Sequence, residues 1–407
     1  MFNENWLALA VFSILLGLVL RDNSLLTVSA LMLTVTGAGW LWNQYSLRGV
    51  GYRRLFSERR AFLGEVVDLT LQVTNRKWLP LPWLRVQDEY PTSIALLDGQ
   101  VQPCTKPDRG LLSNLMSLRW LERVQVRYHL RCDKRGFYAF GPACLQSGDM
   151  FGLFDSQSVR PEVDWLIVYP EVRPIEGLIL PPKELLGEAK AHQRIFGDPT
   201  RTAGTREHRA GDPLKSIHWK ASARHQTLQV KVHEPTTTTQ LVIFLDMATL
   251  PRPWQGTIPE LLERGINVAA SIASHAVAQR FQVGLQANGC WPRSDQELKV
   301  LPSRSPDQLL RILEALAAVS VQPIISIEEL LHRESARLPW AASLFVITAV
   351  VTEELLVVIA RLKASGRRVV LIRLDEGAPL PLQVNGLPVQ RAIDAGSVFR
   401  FESEQMG

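Results

Sequence analysis

A chain of 407 residues that is 46% hydrophobic and 21% charged is long enough for two or three folded domains and excludes long disordered stretches. Its net charge of +5 adds attraction to anionic lipid head groups but is too small a surplus to mark a nucleic-acid binder. Cys104, Cys132, Cys144 and Cys290 show no Cys-x-x-Cys spacing, which excludes a regular disulfide framework and agrees with free thiols in a reducing compartment.

The first predicted elements are two apolar runs. Trp6 to Leu20 is interrupted only by Ser13 and Gly17, and after Arg21-Asp22-Asn23-Ser24 a second run extends from Leu25 to Trp42. Together they predict an N-terminal transmembrane helical hairpin over residues 1–47, with the lipid bilayer as partner and Trp6, Trp40, Trp42 and Tyr45 as interfacial anchors. The first run is short for a span, but it lacks the basic start and the small-x-small cleavage site of a signal peptide. Arg48, Arg53, Arg54, Arg59 and Arg60 crowd the segment after the second run, so the positive-inside rule puts the rest of the chain in the cytoplasm. The expected location is therefore the bacterial inner membrane, multi-pass, with cytoplasmic soluble domains.

From Val67 to Thr74 apolar and polar residues alternate strictly, and the pattern returns from Arg123 to Asp133. With turn signals at Asn75-Arg76, Pro80-Leu81-Pro82, Lys134-Arg135-Gly136 and Gly141-Pro142, residues 57–160 are predicted to form an antiparallel β-sandwich. Residues 161–205 read as a linker rich in Pro and Gly. Beyond residue 235 the grammar changes. Continuous apolar runs at Gln240 to Asp246, Phe281 to Ala287, Leu344 to Val350 and Arg368 to Leu374 alternate with helical patterns at Ile258 to Gln279, Pro306 to Val319 and Glu353 to Ala364. Residues 235–407 are thus expected to be an α/β, Rossmann-like domain built from βαβ units around a mostly parallel sheet.

Between these regions, residues 206–234 carry the most distinctive segment: Arg206 to Arg224, reading R-E-H-R-A-G-D-P-L-K-S-I-H-W-K-A-S-A-R. Arg206, Arg209, Lys215, Lys220 and Arg224 are balanced only by Glu207 and Asp212 around an Ile217-x-Trp219 pair expected to be buried. Such a constellation suits charge-assisted hydrogen bonds, either as an internal salt-bridge network or as a protein-docking surface. The segment resembles the signature of the family known as domain of unknown function 58, in which Arg-Glu-Tyr-x-x-Gly-Asp precedes Ile-His-Trp-Lys-x-Ser-Ala-Arg. Here His208 stands for the Tyr, while Gly211, Asp212, Ile217, His218, Trp219, Lys220, Ser222 and Arg224 match. Phe62 to Asn75, Arg135-Gly136-Phe137 and Asp149-x-Phe151-Gly152-Leu153-Phe154 resemble upstream landmarks of that family, so the resemblance covers nearly the whole chain. It implies a membrane-anchored protein with a degenerate von Willebrand factor A-like domain, working with a MoxR-type AAA+ ATPase.

At the end of the first strand of the α/β region, von Willebrand A domains carry Asp-x-Ser-x-Ser to hold Mg²⁺. Here Asp246-Met247-Ala248-Thr249-Leu250 keeps the carboxylate and replaces both serines, so Asp246 is expected to cap the loop after its strand, with no cofactor. His208, His218, His225 and His233 are clustered, but no two of them lie three or four apart as on a helical metal face. Ser222 lies near His218 and His225 without a G-x-S-x-G elbow, no P-loop is present, and Gly49-Val50-Gly51 lacks the third glycine of a dinucleotide fingerprint. Ser222 reads as a small residue in a packed helical turn.

No catalytic residue and no metal ligand follow from these patterns, and a nucleic-acid partner is not expected because acidic residues offset the basic ones. The reading is a membrane-tethered, non-enzymatic adaptor or scaffold acting with the ATPase in a chaperone-like assembly system. The competing readings are a metal-dependent or hydrolytic enzyme using Asp246 and the histidines, and a passive structural membrane scaffold.

Overall fold

The computed structural model describes residues 11–13, 15–16, 19–20, 23–180, 202–208, 217–233, 240–292, 294, 296–320, 322–339, 342–374 and 387–403. The chain divides into two compact units, Met1–Glu171 with Leu316–Ala318, and Val172–Ala315 with Val319–Gly407.

In the first unit strands dominate. One sheet is built from β1 (Val50–Phe56), β3 (Val66–Asn75), β8 (Arg123–Arg131) and the short β5 (Ala95–Leu96). A second has the order β11-β10-β4-β7-β6, with β4 at Leu81–Pro91, β6 at Val101–Pro103, β7 at Arg109–Leu118, β10 at Ala143–Gly148 and β11 at Asp155–Arg160. A third joins β2 (Arg60–Ala61), β12 (Asp164–Val168) and β9 (Gly136–Phe140). The alternation in β3 has the expected consequence: Val67, Leu69, Leu71 and Val73 are buried, while Asp68, Thr70, Gln72 and Thr74 between them stay partly exposed. The buried face meets Tyr90, Leu112, Phe140 and Leu166 from the other sheets, and Phe140 receives Phe56 and Tyr90 edge-on at 5.0 and 5.4 Å.

The helix Asn23–Ser46 precedes these strands. Its C-terminal turn is fixed on the sheet edge: Asn43 Nδ2 donates to Asp155 O at 3.3 Å, and the Ser46 and Ser156 hydroxyls lie 2.9 Å apart. Lys77 Nζ donates to the carbonyls of Tyr45 and Arg48 at 2.9 Å each and also to that of Ser46, supplying a cation where helix carbonyls lack partners. Gly39 allows close approach to the loop Asp149 to Phe154, where Asp149 accepts from the amides of Phe151 and Phe154 at 2.8 and 2.7 Å.

Two expectations are corrected here. The fold class was expected to combine a Rossmann-like α/β domain and a sandwich with an N-terminal transmembrane hairpin. Among the described residues strands instead dominate, spread over five sheets, and no helix is long and apolar enough to cross a membrane. The multi-pass inner-membrane location is overturned by the same finding. Hydropathy was read there as a property of the run alone. The helix Asn23–Ser46 carries Thr27, Thr34 and Thr36, whose hydroxyls bond back to helix carbonyls, and its Asn43 and Ser46 are committed to the sheet. The run Trp6 to Leu20 lies mostly outside the described residues.

The second unit holds an eight-stranded sheet of order β13-β22-β21-β20-β19-β16-β17-β18. Its centre is parallel: β21 (Val389–Asp394), β20 (Arg368–Arg373), β19 (Ser343–Thr348), β16 (Gln240–Leu245) and β17 (Gln282–Cys290). Antiparallel neighbours flank it on each side, β22 (Phe399–Ser403) and β18 (Glu297–Ser303), and β13 (Ile175–Glu176) joins β22 in parallel. Helices Ile327–Ser335 and Glu353–Ala364 cover one face through Leu330, Leu331, Leu355 and Ile359, which pack on Val242, Phe244, Leu344 and Leu371. The helix Pro259–Ala278 packs on β16 and β17. Helix coverage explains why these strands read as unbroken apolar runs rather than alternating ones.

Candidate functional site

The distinctive segment forms a small structure of its own. β14 (Thr202–Glu207) pairs antiparallel with β15 (Gln229–His233), Arg206 opposite Val230 and Glu207 opposite Gln229. On the other side of β15, Ile217 forms a bridge to Val230, and both are buried at 4% exposure. The chain then turns into the short helix Trp219–His225.

Each motif residue in this helix has a local reason. His218 is the N-cap, and its Nδ1 accepts from the Ala221 amide at 3.1 Å, in the geometry usually made by Ser or Asp. That bond requires an unprotonated Nδ1, with the imidazole hydrogen on Nε2. Four residues after His218, Ser222 Oγ donates to the His218 carbonyl at 3.1 Å and accepts from the Gln229 amide at 2.8 Å. The His218 amide also donates to Gln229 O at 2.7 Å, so the N-cap and the middle of the helix are both clamped to the start of β15. The helix stops at Gln226 in the left-handed conformation, φ 56°.

Ser222 is therefore more than a small packing residue: its hydroxyl clamps the helix to the start of β15. Its bonds run to backbone groups, and His218 Nδ1 is committed to the cap, so this pair is not arranged as nucleophile and base. Ser222→Ala strands the buried-side amide of Gln229 and is expected to lower stability by about 1 to 2 kcal/mol, whereas Ser222→Thr retains most of it. Urea unfolding of the three proteins reads the difference, and equal midpoints would refute the clamp.

The Ile217-x-Trp219 pair was expected to be buried, and only Ile217 is. Trp219 is 69% exposed. It occupies the first helical position, and Lys220, Arg224 and the 48% exposed Leu228 are also at the surface. Glu207 is exposed as well. Arg209, Gly211, Asp212 and Lys215 lie outside the described residues, as does the side chain of Arg206.

The second candidate position, Asp246, follows β16 and is buried at 6% exposure. Its Oδ1 accepts from the Ala248 amide at 3.0 Å and from Asn288 Nδ2 at 2.8 Å, and its Oδ2 accepts from Thr348 Oγ1 at 2.8 Å. Asn288 Oδ1 in turn accepts from the Met247 amide at 2.8 Å. Thr249 Oγ1 accepts from the Ile258 amide at 2.8 Å, which ties the loop to the start of the following helix. Burial pushes the Asp246 carboxyl up to about 6, against the pull of these three donors. Both carboxylate oxygens are thus occupied in holding the loop and the adjacent strands. Among the described residues no three His, Cys, Asp or Glu side chains converge as metal ligands would.

Sequence reasoning missed Asn288 and Thr348 as partners of Asp246. Two buried polar residues, Gln286 and Asn288, among the apolar residues of β17 were the available signal, since a buried amide in a central strand needs a partner. It also missed Glu334, which is 2% exposed and pairs with Lys299, Arg333 and Arg337. Burial raises that carboxyl, but the Lys299 hydrogen bond and the three cations outweigh it and hold it below its ordinary range.

The fold and the site together define a β-rich chain with a mixed eight-stranded sheet and a clamped, Trp-presenting helix set off on its own two-stranded ribbon. Residues 204–398 match the family described as "Protein of unknown function DUF58", which supports the resemblance carried by the signature. The chain is similar to "Uncharacterized protein YeaD" of Bacillus subtilis (strain 168), 23% identical over 321 residues, covering 77% of this chain and 73% of that protein. Among solved structures, the CARDB domain of the PF1109 protein from Pyrococcus furiosus is similar at a TM-score of 0.21 and 9% identity, over 30% of this chain and 91% of that one. The alkylpurine DNA glycosylase AlkC of Pseudomonas fluorescens gives 0.19 and 9%, over 36% of this chain and 39% of that one. Scores this low carry no argument about fold or function.

Proposed function

We propose that the chain is a non-enzymatic adaptor whose helix Trp219–His225 is a docking element for a MoxR-type AAA+ ATPase. The observation that carries this is the 69% exposure of Trp219 on a helix clamped to β15 through its N-cap and its middle residue. Leaving an indole in water forfeits roughly 2 kcal/mol of burial, and a rigidly held aromatic beside cations is the composition that dominates binding energy at protein interfaces. Lys220 and Arg224 on the same short helix add charge that steers an acidic partner. The identity of the partner rests on the family resemblance.

The same resemblance takes residues 235–407 as a degenerate von Willebrand factor A-like domain and residues 206–234 as its appended signature. The parallel centre of the sheet and the position of Asp246 directly after β16 support that reading, and Ala248 and Leu250 at the hydroxyl positions make it degenerate. An enzyme using Asp246 is less well supported, because the carboxylate is already engaged by three donors.

Co-expression with the ATPase, followed by affinity purification in ATP-analogue and ADP buffers, tests the proposal. The expected result is nucleotide-dependent capture of the ATPase, and absence of capture in both buffers would rule the adaptor role out.

A further inference from the structure

Beside the C-terminal turn of the helix Asn23–Ser46 the first unit carries a cleft of about 520 Å³. Along β11, Ser156, Ser158 and Arg160 are partly buried while Gln157 and Val159 are exposed, and Ser156, Gln157, Ser158 and Arg160 line the cleft. Arg48 also lines it, its guanidinium stacked 4.7 Å from the Tyr45 ring centre. None of the residues lining this cleft is acidic. A second, smaller cleft shares Gly49 and Arg160 with it and adds Arg53 and Arg76, with Glu162 as its one carboxylate.

Two features separate this cleft from an ordinary basic surface. Arg160 Nη2 donates to Val50 O at 3.0 Å, but its Nε–H is buried without a hydrogen-bond partner, a donor whose desolvation is uncompensated. The helix C-terminus, whose carbonyls would ordinarily repel an anion, is neutralised by Lys77, which donates to the carbonyls of Tyr45, Ser46 and Arg48. Two guanidinium groups and a serine hydroxyl lining one cleft suit a tetrahedral oxyanion with several acceptor oxygens better than a planar carboxylate. The volume exceeds that of a bare ion, so the ligand has a body beyond its charged group.

We infer that this cleft binds a phosphate ester, held between Arg48 and Arg160 with the hydroxyl of Ser158, the Ser156 hydroxyl being engaged with that of Ser46. The same chemistry is offered by a free organophosphate and by a phospholipid head group. Two arms separate the sources. In the first, sn-glycerol 3-phosphate is titrated against the full chain at constant ionic strength and thermal unfolding is followed. In the second, co-sedimentation is measured with vesicles of phosphatidylcholine alone and with added phosphatidylglycerol.

Saturable stabilisation by glycerol 3-phosphate is expected if the ligand is free, and phosphatidylglycerol-dependent sedimentation if it is a head group. In either arm Arg160→Gln and Ser158→Asp each weaken binding at least about tenfold. Ser158→Asp protects the test against misfolding, because it places a carboxylate in the cleft without removing the Arg160 bond to Val50. Binding in neither arm, or binding that both variants leave unchanged, overturns the inference.

Discussion

Arg54→Leu is expected to lower the stability of the first unit by about 3 to 5 kcal/mol. Arg54 on β1 and Asp88 on β4 tie two sheets together, and their side chains are 2% and 3% exposed. Arg54 Nε and Nη2 donate to the two oxygens of Asp88 at 2.6 and 2.7 Å, Nη1 donates to Glu162 O at 2.9 Å, and the Tyr52 hydroxyl donates to Asp88 Oδ2 at 2.5 Å. Removing the guanidinium leaves a buried carboxylate with a single phenol donor. Burial, then the charge of Asp88, already push the Tyr52 phenol far above its ordinary range, so it cannot compensate by giving up its proton. The double variant Arg54→Leu/Asp88→Leu is expected to recover most of the loss, because an ion pair in such a site is worth little against well-packed apolar groups. Urea unfolding of wild type, single and double variants checks both statements. A single variant within 1 kcal/mol of wild type would show that the pair is solvated after all.

The second large effect concerns Asp246 and has the opposite sign. A carboxyl raised to about 6 in the folded chain, from about 4 when unfolded, binds its proton more tightly in the native state. Between those values the native state holds more protons, so stability falls as pH rises from about 4 to 6. The penalty is fully present above pH 6 and amounts to roughly 2 to 3 kcal/mol. Asp246→Asn removes it without loss of hydrogen bonds. The new Oδ1 accepts from Ala248 and Asn288, its Nδ2 donates to Thr348 Oγ1, and the Thr348 proton is released to Val350 O, already 2.8 Å away. Asp246→Asn is therefore expected to raise stability at pH 7.5 and to flatten the slope between pH 4 and 6. Asp246→Ala strands three donors and is expected to lower stability by about 2 to 4 kcal/mol. Denaturation series at pH 4.5 and 7.5 distinguish the two substitutions, and a destabilised Asn variant would mean that the carboxylate charge itself holds the loop.

Local periodicity was legible in the sequence wherever one face of an element is buried. β3 keeps its four apolar residues inward, and the helix Glu353–Ala364 has the bounds its pattern predicts. Elements carrying many charges were not legible. The helix Ile327–Ser335 contributes Ile327, Leu330 and Leu331 to the core, yet between them stand Glu328 and Glu329, and its start is marked only by Ser326, whose hydroxyl accepts from the Glu329 amide. The edge strand β18 has mixed faces and gave no clear period. The N-terminal error was of another kind. Window hydropathy registers how apolar a run is but not which side chains are engaged elsewhere, and the contacts of Asn43, Ser46 and Lys77 that fix the helix end join residues 29 to 112 positions apart.

Within the signature, the sequence pattern did not give the directions of Ile217 and Trp219. Ile217 and Trp219 are two apart, a spacing that shares a face on a strand and separates on a helix. The helix begins between them, at a boundary made by an imidazole cap that no propensity argument anticipates. One residue goes into the ribbon and the other into solvent.

The docking role of that exposed residue is tested most directly by titrating a fluorescent MoxR-type ATPase with wild-type protein, Trp219→Ala and Lys220→Glu, with thermal unfolding of each recorded in parallel. Binding at least about tenfold weaker in the Trp219 variant, weaker and less salt-sensitive binding in the Lys220 variant, and unchanged unfolding temperatures are expected. Equal affinities for all three proteins would contradict the account.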